Sequence, residues 1–172
     1  SKKYKTKATI GNLNNHIGVP LTLLSFNSET EIGIVEMGAN HKKEIEFLCE
    51  LAKPDYGYIT NFGKAHLEGF GGVEGVIEGK SEMYLYLSQN NKQAFINLED
   101  PIQVEKSKTL QSYSFGVNKA EANVNISAVS ANPFVVITYS DITISTHLIG
   151  LYNANNINAA LTIGKYFDVA DT

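Results

Sequence analysis

The chain is short of cysteine: Cys49 stands alone. With no second thiol to pair with, no disulfide can staple the fold, and its place on the apolar face of the helical pattern EIEFLCELA (44–52) points to a packed thiol rather than a nucleophile. Clustered positive charge is missing too. Fourteen Lys and Arg against eighteen Asp and Glu leave a formal net charge of −4, interspersed along the chain, with one basic group at the terminal SKKYKTK. That argues against nucleic acid or an anionic membrane surface as a partner. No run of 18 apolar residues occurs and no signal peptide opens the text, so the expected setting is cytoplasmic. Internal repeats and low-complexity linkers are absent as well. The first residue is Ser1 and the pattern starts mid-element, which gives the expectation of a segment from a longer protein.

What is present is 172 residues, 43% of them hydrophobic, enough for one domain with a real core. Short apolar runs alternate with helical patterns: EIGIVEM (31–37), KKEIEFLCELAK (42–53), YGYITNF (56–62), a helix over 73–88, then QAFINL (93–98). This alternation predicts an α/β fold, a mostly parallel sheet flanked by helices. AKPD and SQNNK supply the stops between elements. From residue 122 the period becomes two, in NVNISAVS, PFVVITYS and DITISTHLIG. A small antiparallel β meander is expected over 122–149, turning at Asn132-Pro133 and Ser140-Asp141. The expected organisation is an α/β part over 1–121, the meander, and a final helix within 150–172.

The helix over 73–88 carries an anomaly. At 100° per residue, Val73, Ile77, Lys80, Tyr84 and Leu87 fall within about 40° of one line, so a lysine sits at the centre of the apolar stripe while Glu78, Ser81 and Glu82 lie opposite, toward solvent. Either its stem snorkels out or its nitrogen is wanted inside. In a parallel sheet, ligands collect beyond the carboxyl ends of strands. Glu36 closes one such strand, where a carboxylate needs a partner. His66 stands in the stretch FGKAHLEGFGG after the next, among glycines that let backbone approach a ligand closely. A carboxylate oxygen and an imidazole suit a hard or borderline divalent cation, so Glu36, His66 and Lys80 form a candidate metal site. Taken singly, each also reads as an ordinary cap, loop or snorkelling residue. His41, after the GAN turn, is a helix N-terminal residue or a ligand contact, and His147 reads as structural. Two decoys fall away. GVIEGKS (75–81) has Glu74 where a phosphate loop needs glycine, and GFGGVEG has glutamate in place of the third glycine of a dinucleotide fingerprint.

Four stretches, GNLNNHIGVPLTLL (11–24), VEMGANHKKEIEFL (35–48), ITNFGKAHLEGFGGVEGVIEGKSEMY (59–84) and GLYNANNINAAL (150–161), resemble in sequence and order the Mur ligases of peptidoglycan synthesis. GNLNN and EMGANH are similar to the members that add D-alanyl-D-alanine. The resemblance implies a P-loop NTPase-like central domain and an ATP-dependent amide-forming reaction through an acyl phosphate, with UDP-muramoyl-tripeptide and D-alanyl-D-alanine as substrates. It also implies ATP and Mg2+ as cofactors. By the same resemblance Lys80 reacts with carbon dioxide to give a carbamate ligand, Glu36 and His66 are the other metal ligands, and Asn153 holds the adenine. Asn14, Asn15, Asn40 and His41 fall where the family contacts the muramoyl-peptide. The family's phosphate loop, upstream of GNLNN, and its N- and C-terminal domains are not in this sequence, so the segment by itself is expected to be inactive. Tyr152 stands where many relatives have histidine. Two other readings stay open: a non-catalytic binding or scaffold module, and a sister ligase such as folylpolyglutamate synthase, against which GNLNNHIGVP argues.

Overall fold

The computed structural model describes residues 3–63 and 66–170. Two compact units divide the chain: the residues through Asp55 with Asn61–Lys92, and Tyr56–Thr60 with the residues from Gln93 onward.

In the first unit β1 (Thr6–Ala8) pairs in parallel with β2 (Ile32–Ile34), Thr6 opposite Ile32. Between them in sequence lies α1 (Gly18–Leu24), and α2 (Glu44–Ala52), α3 (Leu67–Phe70) and α4 (Val73–Gln89) follow. The spacing of Ile45, Leu48 and Cys49 places all three on one face of α2. There they are buried with Val19, and Val35, Met37, Met83 and Tyr86 pack around them. α2 stops where Lys53 takes a left-handed conformation (φ 48°), immediately before Pro54, which disfavours the α region for the residue it follows.

Cys49 is fully buried, its Sγ 3.8 Å from Met37 Sδ. Burial pushes the thiol up to about 12, and only the thiolate attacks electrophiles. At pH 8 the thiolate fraction is on the order of one in ten thousand, against roughly a quarter for a free cysteine thiol. A thiol-disulfide reagent is therefore expected to label native protein at least ~1000-fold more slowly than urea-unfolded protein. Equal rates would contradict this burial.

The second unit is one six-stranded sheet in the order β3-β4-β5-β6-β7-β8, made of β3 (Tyr56–Tyr58), β4 (Gln93–Asn97), β5 (Gln111–Val117), β6 (Val124–Ala131), β7 (Phe134–Tyr139) and β8 (Ile142–Ile149). Pairing is parallel from β3 to β6 and antiparallel from β6 to β8. β4 is buried from Ala94 to Asn97, the continuous burial of a central parallel strand. α5 (Pro101–Lys106) and α6 (Tyr152–Tyr166) complete the unit. Phe115, Val124, Ile126, Val135, Ile137, Ala154 and Ala159 form its core. Tyr166, on the last turn of α6, donates to Gln93 Oε1 at 2.8 Å and meets Tyr56, Phe95 and Tyr113 edge to face.

The α/β class and the meander with its two turns are as expected. Two features differ. The meander is joined to the parallel strands through β6, because Val124 and Ile126 face the core that Phe115 fills. And the parallel strands are shared between two sheets, β2 bonding to β1 and β3 to β4. Among the described residues no helix is long and apolar enough to cross a membrane.

Candidate active site

Two residues beyond β2 the chain presents Glu36 to solvent. Its backbone N–H donates to Thr9 Oγ1 at 2.8 Å, and its Oε1 accepts from Asn14 Nδ2 at 2.7 Å. The carbonyl of Asn14 accepts from Gly38 N–H at 2.7 Å, and a Cβ on Gly38 would lie 2.9 Å from Asn14 Nδ2. Glycine at 38 is what lets the two segments close. The partner that a strand-end carboxylate needs is thus an amide, which orients it without cancelling its charge. Thr9 gave no signal in sequence, because its role depends on β1 lying beside β2.

Asn15 acts locally: its Oδ1 accepts from the N–H groups of Ile17 and Gly18, each at 3.0 Å, satisfying donors at the start of α1. Asn40 and His41 lie exposed before α2. Glu44 holds them by the backbone, accepting from Asn40 N–H at 2.6 Å and His41 N–H at 3.2 Å. The Asn40 donation first, and that of His41 after it, hold the Glu44 carboxyl below its ordinary range.

Lys80 is half-buried on α4. Its Nζ donates to the carbonyl of Asn61 at 2.7 Å, and burial lowers its pKa. The buried residues of α4 are Gly75, Val76, Gly79, Tyr84 and Leu87, so at 100° per residue Lys80 lies between Leu87 and Tyr84, to one side of the centre of the packed face, and Val73 is exposed. The face expected to be solvated is partly in use: Glu82 binds the start of α2 and Glu78 pairs with Lys42. α2 packs on that side of α4, which the periodicity of α4 alone does not reveal.

His66 is exposed and takes a left-handed conformation (φ 58°) at the head of α3, where its carbonyl accepts from Phe70 N–H at 3.2 Å. Lys64 and Ala65, in the same glycine-rich stretch, lie outside the described residues. Among the described residues no group of three or more His, Cys, Asp and Glu side chains is placed to hold a metal ion. Among the described residues Glu36 and His66 therefore belong to no such group.

GVIEGKS lies wholly within α4. A Cβ on Gly75 would overlap the carbonyl oxygen of Phe70, and one on Gly79 would lie 2.5 Å from the Phe70 ring. These glycines allow the close approach of α4 to Phe70.

In the second unit, Asn153 lies in the first turn of α6, where its Nδ2 donates to the carbonyl of Ile149 at 2.9 Å. Gly150 takes φ +88°, and a Cβ there would lie 2.5 Å from the ring of Tyr152, which is 77% exposed. His147 sits on β8 with its ring 6.0 Å from that of Phe134.

A family model described as the Mur ligase middle domain matches residues 1–164. The UDP-N-acetylmuramoyl-tripeptide–D-alanyl-D-alanine ligase of Bacillus subtilis (strain 168) is 34% identical over 168 residues, covering 98% of this chain and 37% of the relative. The ligase of the same description from Haemophilus influenzae is 35% identical over 159 residues, covering 90% of this chain and 35% of the relative. Among solved structures, a crystal structure of MurF from Acinetobacter baumannii superposes with a TM-score of 0.84 at 28% identity, covering 99% of this chain and 38% of that one. MurF ligase from Thermotoga maritima in complex with ADP gives 0.79 at 27% identity, covering 98% of this chain and 40% of that one. The chain thus spans little more than a third of the length of these proteins.

Proposed function

This chain belongs to the Mur ligase middle-domain family, and on that footing we propose that it is the nucleotide-handling part of a cytoplasmic, ATP-dependent ligase that joins D-alanyl-D-alanine to UDP-N-acetylmuramoyl-tripeptide. The observation that carries the reading is the company of Glu36 and Lys80 in one compact unit. Glu36 is an exposed carboxylate oriented by an amide, and Lys80 is an amine whose proton burial disfavours and which rests on a carbonyl.

In this reaction the terminal carboxylate of the peptide takes the γ-phosphoryl group of ATP and ADP leaves. The amine of D-alanyl-D-alanine then attacks the acyl phosphate, expelling phosphate and closing the amide. No protein nucleophile is required, so the work is positioning and charge stabilisation. The residues fit Mg2+ as an incomplete set. Glu36 and His66 offer oxygen and nitrogen donors, and the missing anionic donor is within reach of Lys80: its neutral amine adds to carbon dioxide, an N–C bond forms, one proton leaves, and a carbamate results. Partial desolvation favours the neutral amine that this step needs. Bound Mg2+ would supply neutralisation and orientation of the phosphoryl charge. Asn14 positions Glu36, and Asn14, Asn15, Asn40 and His41 are assigned to the muramoyl-peptide. Asn153 is assigned to the adenine. The phosphate-binding loop and the two flanking domains are assigned to parts of the parent protein outside this segment.

The test is phosphate release by the full-length parent supplied with ATP, Mg2+, D-alanyl-D-alanine and UDP-muramoyl-tripeptides ending in lysine or in diaminopimelate. Release is expected only when both substrates are present, and Glu36→Ala is expected to lower kcat by about 100-fold or more, the scale of losing a charge-stabilising group. Turnover that instead required a folate and glutamate would point to the sister ligase, and no turnover on any of these substrates would favour a binding module.

A further inference from the structure

We propose that Glu82 is a positioning residue that clamps the Asn40–His41 segment to the helix carrying Lys80, and so sets affinity for the UDP-muramoyl-peptide. This rests on the function proposed above. α2 starts without a cap of its own: Lys43, before its first residue, has a left-handed backbone (φ 72°) and makes no side-chain capping bond. The first N–H groups of a helix need acceptors from elsewhere. Here they come from α4, since Glu82 Oε1 accepts from Lys43 N–H at 2.6 Å and Oε2 from Glu46 N–H at 3.0 Å. A carboxylate taking two N–H donors at a helix N-terminus is among the stronger polar arrangements available.

The clamp has two further points. One turn before Glu82 on α4, Glu78 pairs with Lys42. Gly69, just ahead of α4, lies so close that a Cβ would overlap the carbonyl oxygen of Asn40 and come within 3.3 Å of His41 Cδ2. Asn40 and His41 are thus held by Glu44, and the start of α2 that carries Glu44 is held in turn by Glu82, two residues from Lys80. Asn40 and His41 keep their side chains exposed while their backbone is fixed, which is how a preorganised binding segment is built.

The experiment measures steady-state kinetics and amide hydrogen exchange for Glu82→Gln and Glu82→Ala in the full-length parent. Alanine removes both acceptors, whereas glutamine keeps one and turns an NH2 toward an N–H. In the alanine variant KM for the muramoyl-peptide is expected to rise about tenfold, the scale of ordering two side chains on binding, with KM for ATP and kcat nearly unchanged. Glutamine should fall between wild type and alanine. The amides of Lys43 and Glu46 should lose exchange protection in the same order. A general structural role would instead move kcat and both KM values together, which would overturn the proposal, as would an unchanged peptide KM alongside lost protection. Should alanine fail to fold, the glutamine variant decides by the same criteria. A wild-type parent inactive on these substrates would defeat the proposed function itself. The exchange data would then still decide the clamp, with unaltered protection at Lys43 and Glu46 overturning it.

Discussion

Replacing Lys80 by alanine in the full-length parent is expected to remove most of the ligase activity, and added formate or acetate is expected to restore part of it. On the proposed reading Lys80 becomes an anionic donor, so its loss leaves the transferring phosphoryl charge short of one stabilising group, a deficit on the order of 100-fold or more in kcat. An ordinary snorkelling lysine predicts something else, because surface substitutions away from special features usually shift stability by no more than about 0.5 kcal/mol and leave turnover alone. A small carboxylate can occupy the vacated space, so rescue should saturate with concentration, and an uncharged molecule of similar size should give none.

Stability supplies a second readout with the opposite sign. In protein free of Mg2+ and nucleotide, where Lys80 is an unmodified amine, burial lowers its pKa, so at pH values between its folded pKa and the ordinary lysine value the unfolded chain binds more protons, and stability rises with pH there. Below that window the lysine carries a desolvation penalty that alanine removes. Lys80→Ala should therefore lose activity without losing stability at neutral pH, and it should flatten the alkaline rise in stability. Near-wild-type turnover by this variant with no carboxylate added would return Lys80 to the snorkelling reading.

The parts legible in the sequence were those whose signal is local. YGYITN and QAFIN are short apolar runs bounded by stops, and β3 and β4 lie within them. The meander shows in its period of two. EIGIVEM reads as one strand, yet β2 is only Ile32–Ile34, because the chain leaves the sheet to bring Glu36 to Asn14. β1, with three residues, is too short to show any period, and β5, buried at Ser114, Phe115 and Gly116, shows neither alternation nor a continuous apolar run. α5 did have a readable signature: Asp100 caps it by accepting from Ile102 and Gln103 N–H, with Pro101 in its first turn, the pairing that helix starts favour. Glu82 could not be read at all. Its position on α4 says solvent, and only the neighbouring helix says otherwise. Glu36, Lys80 and His66 were found as residue types in suggestive places, whereas Thr9, Asn14 and Asn61, which hold two of them, act through contacts far apart in sequence.

Gly75→Ala is expected to be the most destabilising single-methyl change in the first unit, although alanine is the better helix former. In an isolated helix the substitution would gain about 1 kcal/mol. Here the added Cβ would overlap the carbonyl oxygen of Phe70 and lie 2.7 Å from its carbonyl carbon. Carbon atoms settle near 3.5–4.0 Å apart, and a carbonyl within the α3–α4 corner has no rotamer by which to retreat, so the helices must separate. Overpacking of that kind costs about 1–3 kcal/mol and sometimes more, and a backbone obstacle belongs at the upper end, leaving a net loss of about 2 kcal/mol. The thermal midpoint of the transition that unfolds this region should fall by roughly 4–8 °C. Gly79→Ala provides the control, because its Cβ would meet the Phe70 ring at 2.5 Å, and a side chain can yield. Trimming that ring with Phe70→Leu should recover part of the loss at position 79, a coupling that a double-mutant cycle resolves, and should recover none of the loss at position 75. A phosphate-loop role for GVIEGKS predicts the reverse, weaker nucleotide binding with stability intact, and a Gly75→Ala parent unfolding at the wild-type midpoint would sink the packing account.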